Sequence, residues 1–225
     1  MKGKTVTLIF GNGFIGNRIT NSFKNSILSK KRIETLSDVE SEIKRYNPEI
    51  VINCIGGTDM DYCEKNKIKA LHSNVIVPFY ILKVCVKLNK FMVHIGTTYV
   101  NNKEKRNLYY TKTKLYIENI LKDYNVLQLR INLPIDIYPH KKNLITKILS
   151  FKRFENKKHN ITYIPRFLKA MDELIKKKTK GIFDIVSCTK ISCLEIKNVY
   201  DGKYTENNEI KEVIDNYKKI SNTYN

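Results

Sequence analysis

The sequence has no tryptophan, and only nine glycines and five prolines in 225 residues. It contains no linker rich in Pro, Gly or Ser, no low-complexity segment and no internal repeat. That leaves one large domain, or one domain with a small appendage. No apolar run approaches the roughly 20 residues of a membrane span, so no membrane partner is expected. Met1-Lys2-Gly3-Lys4-Thr5 runs straight into a strand-like segment, where a leader peptide would show a longer apolar stretch. Five cysteines, an odd number without paired metal spacing, exclude a disulfide framework and predict reduced thiols in a cytoplasmic-type compartment. Cys54 and Cys85 lie in apolar segments and read as core residues. The four histidines (His72, His94, His140, His159) are scattered, so no metal site is expected, and there is no serine nucleophile elbow.

Acidic residues are also scarce. Against 22 Asp and Glu stand 41 Lys and Arg, a net charge of +19. Such a charge can mark a nucleic-acid partner. Here the lysines are dispersed over the chain, and the densest run, Lys176-Lys177-Lys178, suits the end of a helix, where cations complement the dipole. No specific nucleic-acid partner is expected.

The apolar pattern alternates between short runs and helical spacing. Thr5–Phe10, Glu49–Cys54, Phe91–Ile95 and Val126–Ile131 read as buried strands. Phe14 to about Leu28 has helical spacing, Ser37-Asp38-Val39-Glu40 reads as a capping start for a helix reaching Tyr46, and further helices are expected over 67–88 and 111–124. This alternation predicts an α/β fold of Rossmann type, a doubly wound parallel sheet, over residues 1–132. Residues 133–225 form a smaller C-terminal region with helices over 143–151 and 166–178 and a capping box at Ser192–Glu195. Its strand at 181–186 is expected to return to the sheet, and its polar tail from Asp201 to form one surface helix.

Gly11-Asn12-Gly13-Phe14-Ile15-Gly16 is G-x-G-x-x-G directly after a strand and at the opening of a helix. Gly11 permits the tight turn, Gly13 lets the backbone approach a pyrophosphate, and Gly16 lets the helix pack against the strand. The helix N-terminus then faces the phosphates. Past the expected second strand, Lys30, Lys31 and Arg32 stand with no early carboxylate. Basic residues there accommodate the 2′-phosphate of NADPH; the alternative is three solvated cations in a lysine-rich chain, with NADH as the cofactor.

Tyr110 and Lys114 lie four residues apart, on one face of the expected helix. An ammonium held near a phenol would lower its pKa and make it a usable proton donor. Thr97 and Thr98 follow a strand, where a hydroxyl can either hydrogen-bond a substrate carbonyl or cap the strand end.

In this order the motifs resemble the extended short-chain dehydrogenase/reductase superfamily, and within it the dTDP-4-dehydrorhamnose reductases and the UDP-4-keto-rhamnose 3,5-epimerase/4-reductases. Asn53-Cys54-Ile55-Gly56-Gly57, Asp61-Tyr62-Cys63-Glu64, Asn74-Val75, Leu129–Pro134, Asn143–Ile148 and Gly181–Asp184 carry the resemblance over residues 5 to 200. It implies that Tyr110 protonates the C4 oxygen of a keto sugar, that Lys114 binds the nicotinamide ribose, and that Thr97 orients the keto oxygen. Cys54, Ile55, Gly56, Asn74, Leu133 and Pro134 would flank the cofactor. Thr98, Tyr99, Asn132 and Lys147 would face the substrate. Tyr99 stands where the bifunctional relatives place an epimerisation cysteine, so 4-keto reduction is expected with at most residual 3,5-epimerisation. The charged Val100–Leu108 loop is shorter than in relatives and motivates an alternative, a non-catalytic NADP(H)-binding sensor. The expected partner is a nucleotide-sugar, with a homodimer as the candidate assembly.

Overall fold

The computed structural model describes residues 5–224 except 152, 154, 155 and 204. The reading of residues 1–4 as the start of the chain without a leader lies outside them. The elements are β1 (Thr7–Phe10), α1 (Phe14–Ser22), β2 (Ser26–Leu28), α2 (Leu36–Tyr46), β3 (Ile50–Asn53), α3 (Met60–Lys65), α4 (Lys67–Leu71), α5 (Val77–Lys87), β4 (Phe91–Thr97), α6 (Tyr109–Lys122) and β5 (Val126–Ile131). There follow β6 (Pro134–Ile135), α7 (Leu144–Ser150), β7 (Thr162–Tyr163), α8 (Ile164–Lys176), β8 (Gly181–Asp184), α9 (Cys193–Tyr200) and α10 (Asn208–Tyr224).

Six strands form one sheet in the order β2-β1-β3-β4-β5-β8. The pairs β1–β2, β1–β3, β3–β4 and β5–β8 are all parallel. This is the Rossmann-type α/β sheet that the alternation predicts. The order reverses between β1 and β3, the switch point where ligands of such sheets sit.

Two compact units are distinguished, 1–130 with 174–184 and 131–173 with 185–225. The boundary expected after residue 132 is drawn here after 130, and the first unit also takes the C-terminal end of α8. The core of the first unit joins Leu8 and Phe10 of β1, Val39 and Ile43 of α2, Ile81, Leu82 and Cys85 of α5, and Ile117 and Leu121 of α6. The second unit has its own core and a two-stranded sheet of β6 and β7.

Four expectations are corrected. The helix from Phe14 ends at Ser22, because Asn25 takes a left-handed conformation (φ 57°), and β2 follows inside the expected helical run. The cap of α2 is Thr35, not Ser37: Thr35 and Asp38 exchange side-chain and backbone bonds in a capping box. The expected surface helix at the C-terminus buries one face, with Ile210, Val213, Ile214 and Tyr217 in the core of the second unit. Finally, the helical run Lys67–Lys87 is long and apolar enough to cross a membrane by length and composition (21 residues, mean hydropathy 1.3). Val77, Ile81, Leu82, Val84 and Cys85 of this run are buried in the core of the first unit.

Candidate active site

The glycine turn closes the carboxyl end of β1. Gly11 has φ 104°, and a Cβ there would meet the Cys54 carbonyl carbon at 2.7 Å and the Ile55 nitrogen at 2.8 Å. The turn therefore lies directly against the end of β3, where only glycine fits. A Cβ on Gly16 would come within 1.8 Å of the Gly11 carbonyl oxygen, so α1 packs onto the turn through that hydrogen. Gly13 differs: a Cβ there meets nothing within 4 Å. It is the residue before α1, whose N-terminus has no side-chain cap. The backbone is open on the side from which a phosphate would approach the helix end. The residues present thus fit a dinucleotide.

Beyond β2 the three cations separate. Lys31 Nζ lies 3.0 Å from Asp38 Oδ1 and donates to Ser41 Oγ at 3.0 Å. Arg32 is paired with Glu34. Lys30 is exposed and has no ion pair among the described residues. Lys30 and Lys31 line a cleft of about 710 Å³ between β2 and α2, with Ser41, Glu42, Arg45 and Tyr46.

At the end of β3, Cys54, Ile55 and Gly56 lead away from the turn. Asn53 and His94, side by side on β3 and β4, are fully buried and bonded Nδ2 to Nδ1 at 3.0 Å. Burial, and to a lesser degree the charge of Lys114, holds His94 down to about 3, so the ring is neutral. Asn53 Oδ1 accepts the Ile55 N–H at 3.0 Å and fixes the bend of the strand end.

Asn74 is fully buried in a π-helical turn, His72–Ile76, between α4 and α5. Such one-turn bulges are frequent at functional sites. Asn74 Oδ1 accepts the Gly57 N–H at 2.7 Å, and its Nδ2 donates to Thr113 Oγ1 at 3.1 Å. Thr113 Oγ1 in turn donates to the Tyr110 carbonyl at 2.8 Å. The β3 loop, the π turn and α6 are joined by this chain of bonds.

Tyr110 and Lys114 are both buried on α6, as is Thr97 at the end of β4. The Lys114 ammonium reaches the β3 loop, where a Cβ on Gly56 would stand 2.6 Å from Nζ. Burial lowers Lys114 to about 8, opposed by the Cys63 and Cys54 thiols. Tyr110 is pushed up to about 12, first by burial; a hydrogen bond with Thr97 opposes this, and Tyr99 and Cys63 add to it. Lys114 is not among the groups that set it. The expectation that Lys114 lowers the Tyr110 pKa is therefore corrected. The four-residue spacing puts the two on one helix face, but the long lysine chain carries its charge toward Gly56, Cys54 and Cys63.

Thr97 Oγ1 accepts the Tyr99 N–H at 3.3 Å, and the Tyr99 ring meets the Tyr110 ring edge-on at 6.4 Å. Thr98 and Tyr99 open a 3₁₀ turn, Thr98–Asn101, and a second follows at Lys103–Lys105, where Asn102 accepts the Glu104 and Lys105 N–H groups. The short charged loop is thus locally bonded.

The remaining expected residues belong to the second unit. Leu133 and Pro134 are half-buried there, Leu133 with φ 37°. Asn132 donates from its backbone to Thr162 Oγ1 (2.9 Å) and from Nδ2 to the Asn160 carbonyl (2.8 Å), and its buried Oδ1 has no partner. Lys147 is exposed on α7. Sequence reasoning missed Thr113 and the Asn53–His94 pair. Nothing in the sequence distinguishes Thr113 from Thr111, because its role depends on a π turn 39 residues earlier. No group of His, Cys, Asp and Glu among the described residues could hold a metal.

Residues 5–120 match the family of the RmlD substrate binding domain. The chain belongs to this family. Among its relatives, the UDP-rhamnose synthase of Acanthamoeba polyphaga mimivirus is 27% identical over 221 residues, covering 84% of this chain and 76% of that protein. Its crystal structure superposes with a TM-score of 0.79 over 91% of this chain and 83% of that one, at 25% identity. A trifunctional UDP-glucose 4,6-dehydratase/UDP-4-keto-6-deoxy-D-glucose 3,5-epimerase/UDP-4-keto-L-rhamnose-reductase of Arabidopsis thaliana is 26% identical over 194 residues, 76% of this chain but only 29% of that protein. The dTDP-4-dehydrorhamnose reductase of Bacillus anthracis, solved with NADP, shares the fold (TM-score 0.78, 18% identity, 89% of this chain and 82% of that one). The glycine turn, the π turn and the Thr97–Tyr110 contact all fall within the matched RmlD-type segment.

Proposed function

We propose that this chain is an NADPH-dependent reductase of a nucleotide-linked 4-keto-6-deoxyhexose, acting in the formation of an activated L-rhamnose-type sugar. One observation carries the reading: Tyr110 is buried and protonated, held by Thr97, on the same helix face as a buried Lys114 that reaches the loop beside the glycine turn. The relatives supply the sugar, since they are named for UDP-rhamnose synthesis and dTDP-4-dehydrorhamnose reduction.

NADPH, when bound, supplies a hydride. Gly11 and Gly13 receive its pyrophosphate at the N-terminus of α1, and Lys30, with Lys31 and the Glu34-paired Arg32 beside it, meets the 2′-phosphate. Lys31, already engaged by Asp38 and Ser41, shapes the cleft beside them. Cys54, Ile55, Gly56 and Asn74 form the wall toward the nicotinamide ribose, which Lys114 holds. Thr97 orients the keto oxygen with Tyr110. As C4 becomes an alkoxide, the Tyr110 O–H proton passes to its oxygen. A phenol held near 12 keeps that proton over the whole neutral range and still gives it to the more basic alkoxide. Thr98 and Tyr99, next to Thr97, face the sugar; for Leu133, Pro134, Asn132 and Lys147 of the second unit, the resemblance alone supports roles at the nicotinamide and the sugar. Asn132 Oδ1, an unpartnered buried acceptor, suits a sugar hydroxyl. With Tyr99 at the position of the epimerisation cysteine, the enzyme reduces C4 and keeps at most residual exchange of the C3 and C5 protons.

The test is NADPH oxidation by the purified protein with UDP- or dTDP-4-keto-6-deoxyhexose. Wild type is expected to turn over, and Tyr110→Phe to lose at least about a hundredfold in kcat, at the low end of what general-acid catalysis contributes, while still binding NADPH. Equal, background-level oxidation by both would sink the proposal and leave a binding protein.

A further inference from the structure

We infer that Glu64 is a positioning residue for the Tyr110–Lys114 pair: from α3 it caps the N-terminus of α6, the helix that carries both. The inference rests on the reductase reading for its catalytic consequence and on geometry for the cap itself.

The first N–H groups of any helix have no partner within it. Leu108, at the cap position of α6, offers no side-chain acceptor, and the first turn of the helix contains no acidic residue. Leucine is among the poorest capping residues. The acceptor comes from outside the helix. Glu64 Oε1 accepts the Tyr109 N–H at 2.5 Å, across 45 positions of sequence. A carboxylate there also complements the positive end of the helix dipole.

The acceptor of this cap is itself held by its own helix. Asp59 Oδ1 accepts the Tyr62 N–H at 2.8 Å and starts α3. Asn66 returns to the Tyr62 carbonyl through both its backbone N–H (2.8 Å) and its side chain (3.1 Å). Cys63, the residue beside Glu64, is fully buried in one cluster with Tyr110 and Ala70. One short helix thus supplies apolar support under Tyr110 and an anion at the preceding N–H. Farther along α6, the buried Glu118 accepts from Arg130 Nη2 and Nε at 2.6 and 2.7 Å, which ties α6 to β5. Glu64 fixes the end where the reactive residues sit, in the first two turns. A helix rises 1.5 Å per residue, so a frayed first turn displaces Tyr110 by an amount that costs about a hundredfold in a positioned reaction.

The test compares Glu64→Ala, Glu64→Gln and Glu64→Asp with wild type in the full chain. Two readouts are taken: steady-state kinetics, and backbone hydrogen exchange of peptides over 109–114 without substrate. Glu64→Gln keeps an acceptor at the same reach; Glu64→Asp withdraws it by one methylene. Glu64→Ala and Glu64→Asp are expected to lower kcat about tenfold or more, with the KM for NADPH within about twofold, and to speed exchange over 109–114 but not over 91–97. Glu64→Gln should restore most of both. If Glu64→Ala does not fold, Glu64→Asp against Glu64→Gln decides. Wild-type exchange over 109–114 in the Ala and Asp variants would overturn the inference, as would equal losses in Gln and Asp. Absence of turnover in the wild type would refute the reductase reading alone, and the exchange data would still decide whether Glu64 caps the helix.

Discussion

Lys114 exchanges a solvated charge for a buried one, and its lowered pKa of about 8 records that exchange. Between about pH 8 and the ordinary lysine value of 10.5, the folded chain binds fewer protons at this site than the unfolded chain. Stability contributed by this site therefore rises with pH through that window, and below it the buried ammonium is a cost. Replacing Lys114 by Met should stabilise the protein at pH 7 by something of order 1–3 kcal/mol, an advantage that shrinks as the pH approaches 10; denaturant melts at both pH values check it. The same titration is expected to weaken cofactor binding, because a neutral amine makes weaker hydrogen bonds than the ammonium to the nicotinamide ribose that Lys114 is proposed to hold. The kcat/KM for NADPH, which reports the free enzyme, is expected to fall above about pH 8. A profile flat to pH 10 would contradict it. The pair itself was legible in the sequence as a four-residue spacing. The direction of its electrostatics was not, because that depends on burial and on where the lysine chain runs.

At the scale of elements, the three glycines of the turn have three different jobs. Gly11 and Gly16 are fixed by packing, against Cys54–Ile55 and against each other, and Gly13 faces open space. Gly13→Ala should fold with an almost unchanged melting temperature and bind NADPH at least tenfold more weakly. Gly16→Ala should lose of order 1–3 kcal/mol through forced separation of α1 from the turn. Melting scans and NADPH titration of the two variants separate these effects. The turn, the strands and α6 were readable from pattern, because a glycine fingerprint and apolar periodicity are local signals. The π turn at His72–Ile76 and the Glu64 cap were not: each works through a partner distant in sequence, and Leu108 gives no hint that α6 is capped at all. The boundary of α1 failed for a related reason. Ile15, Ile19 and Phe23 keep helical spacing only as far as the helix end, and Asn25 beyond them takes a left-handed backbone from which β2 starts.

The whole chain has a net charge of +19, and its lysines are spread along the sequence. Dispersed cations attract anions of any kind, whereas base reading needs an element that enters a groove. DNA affinity is expected to be weak, indifferent to sequence, and to fall steeply between 50 and 200 mM salt; a sequence preference that survives salt would point to another partner. Each unit has its own core, and the polar tail was underestimated because the apolar face of α10 repeats only every three or four residues among charges. The central claim is transfer of hydride to C4 with the proton from Tyr110. Its most direct measurement is product analysis after reaction with NADPH deuterated at the transferred position of the nicotinamide. The account predicts one deuterium at C4 of the 6-deoxyhexose and none in the Tyr110→Phe reaction. NADPH binding without deuterium in the sugar, or label transferred equally well by Tyr110→Phe, would contradict it.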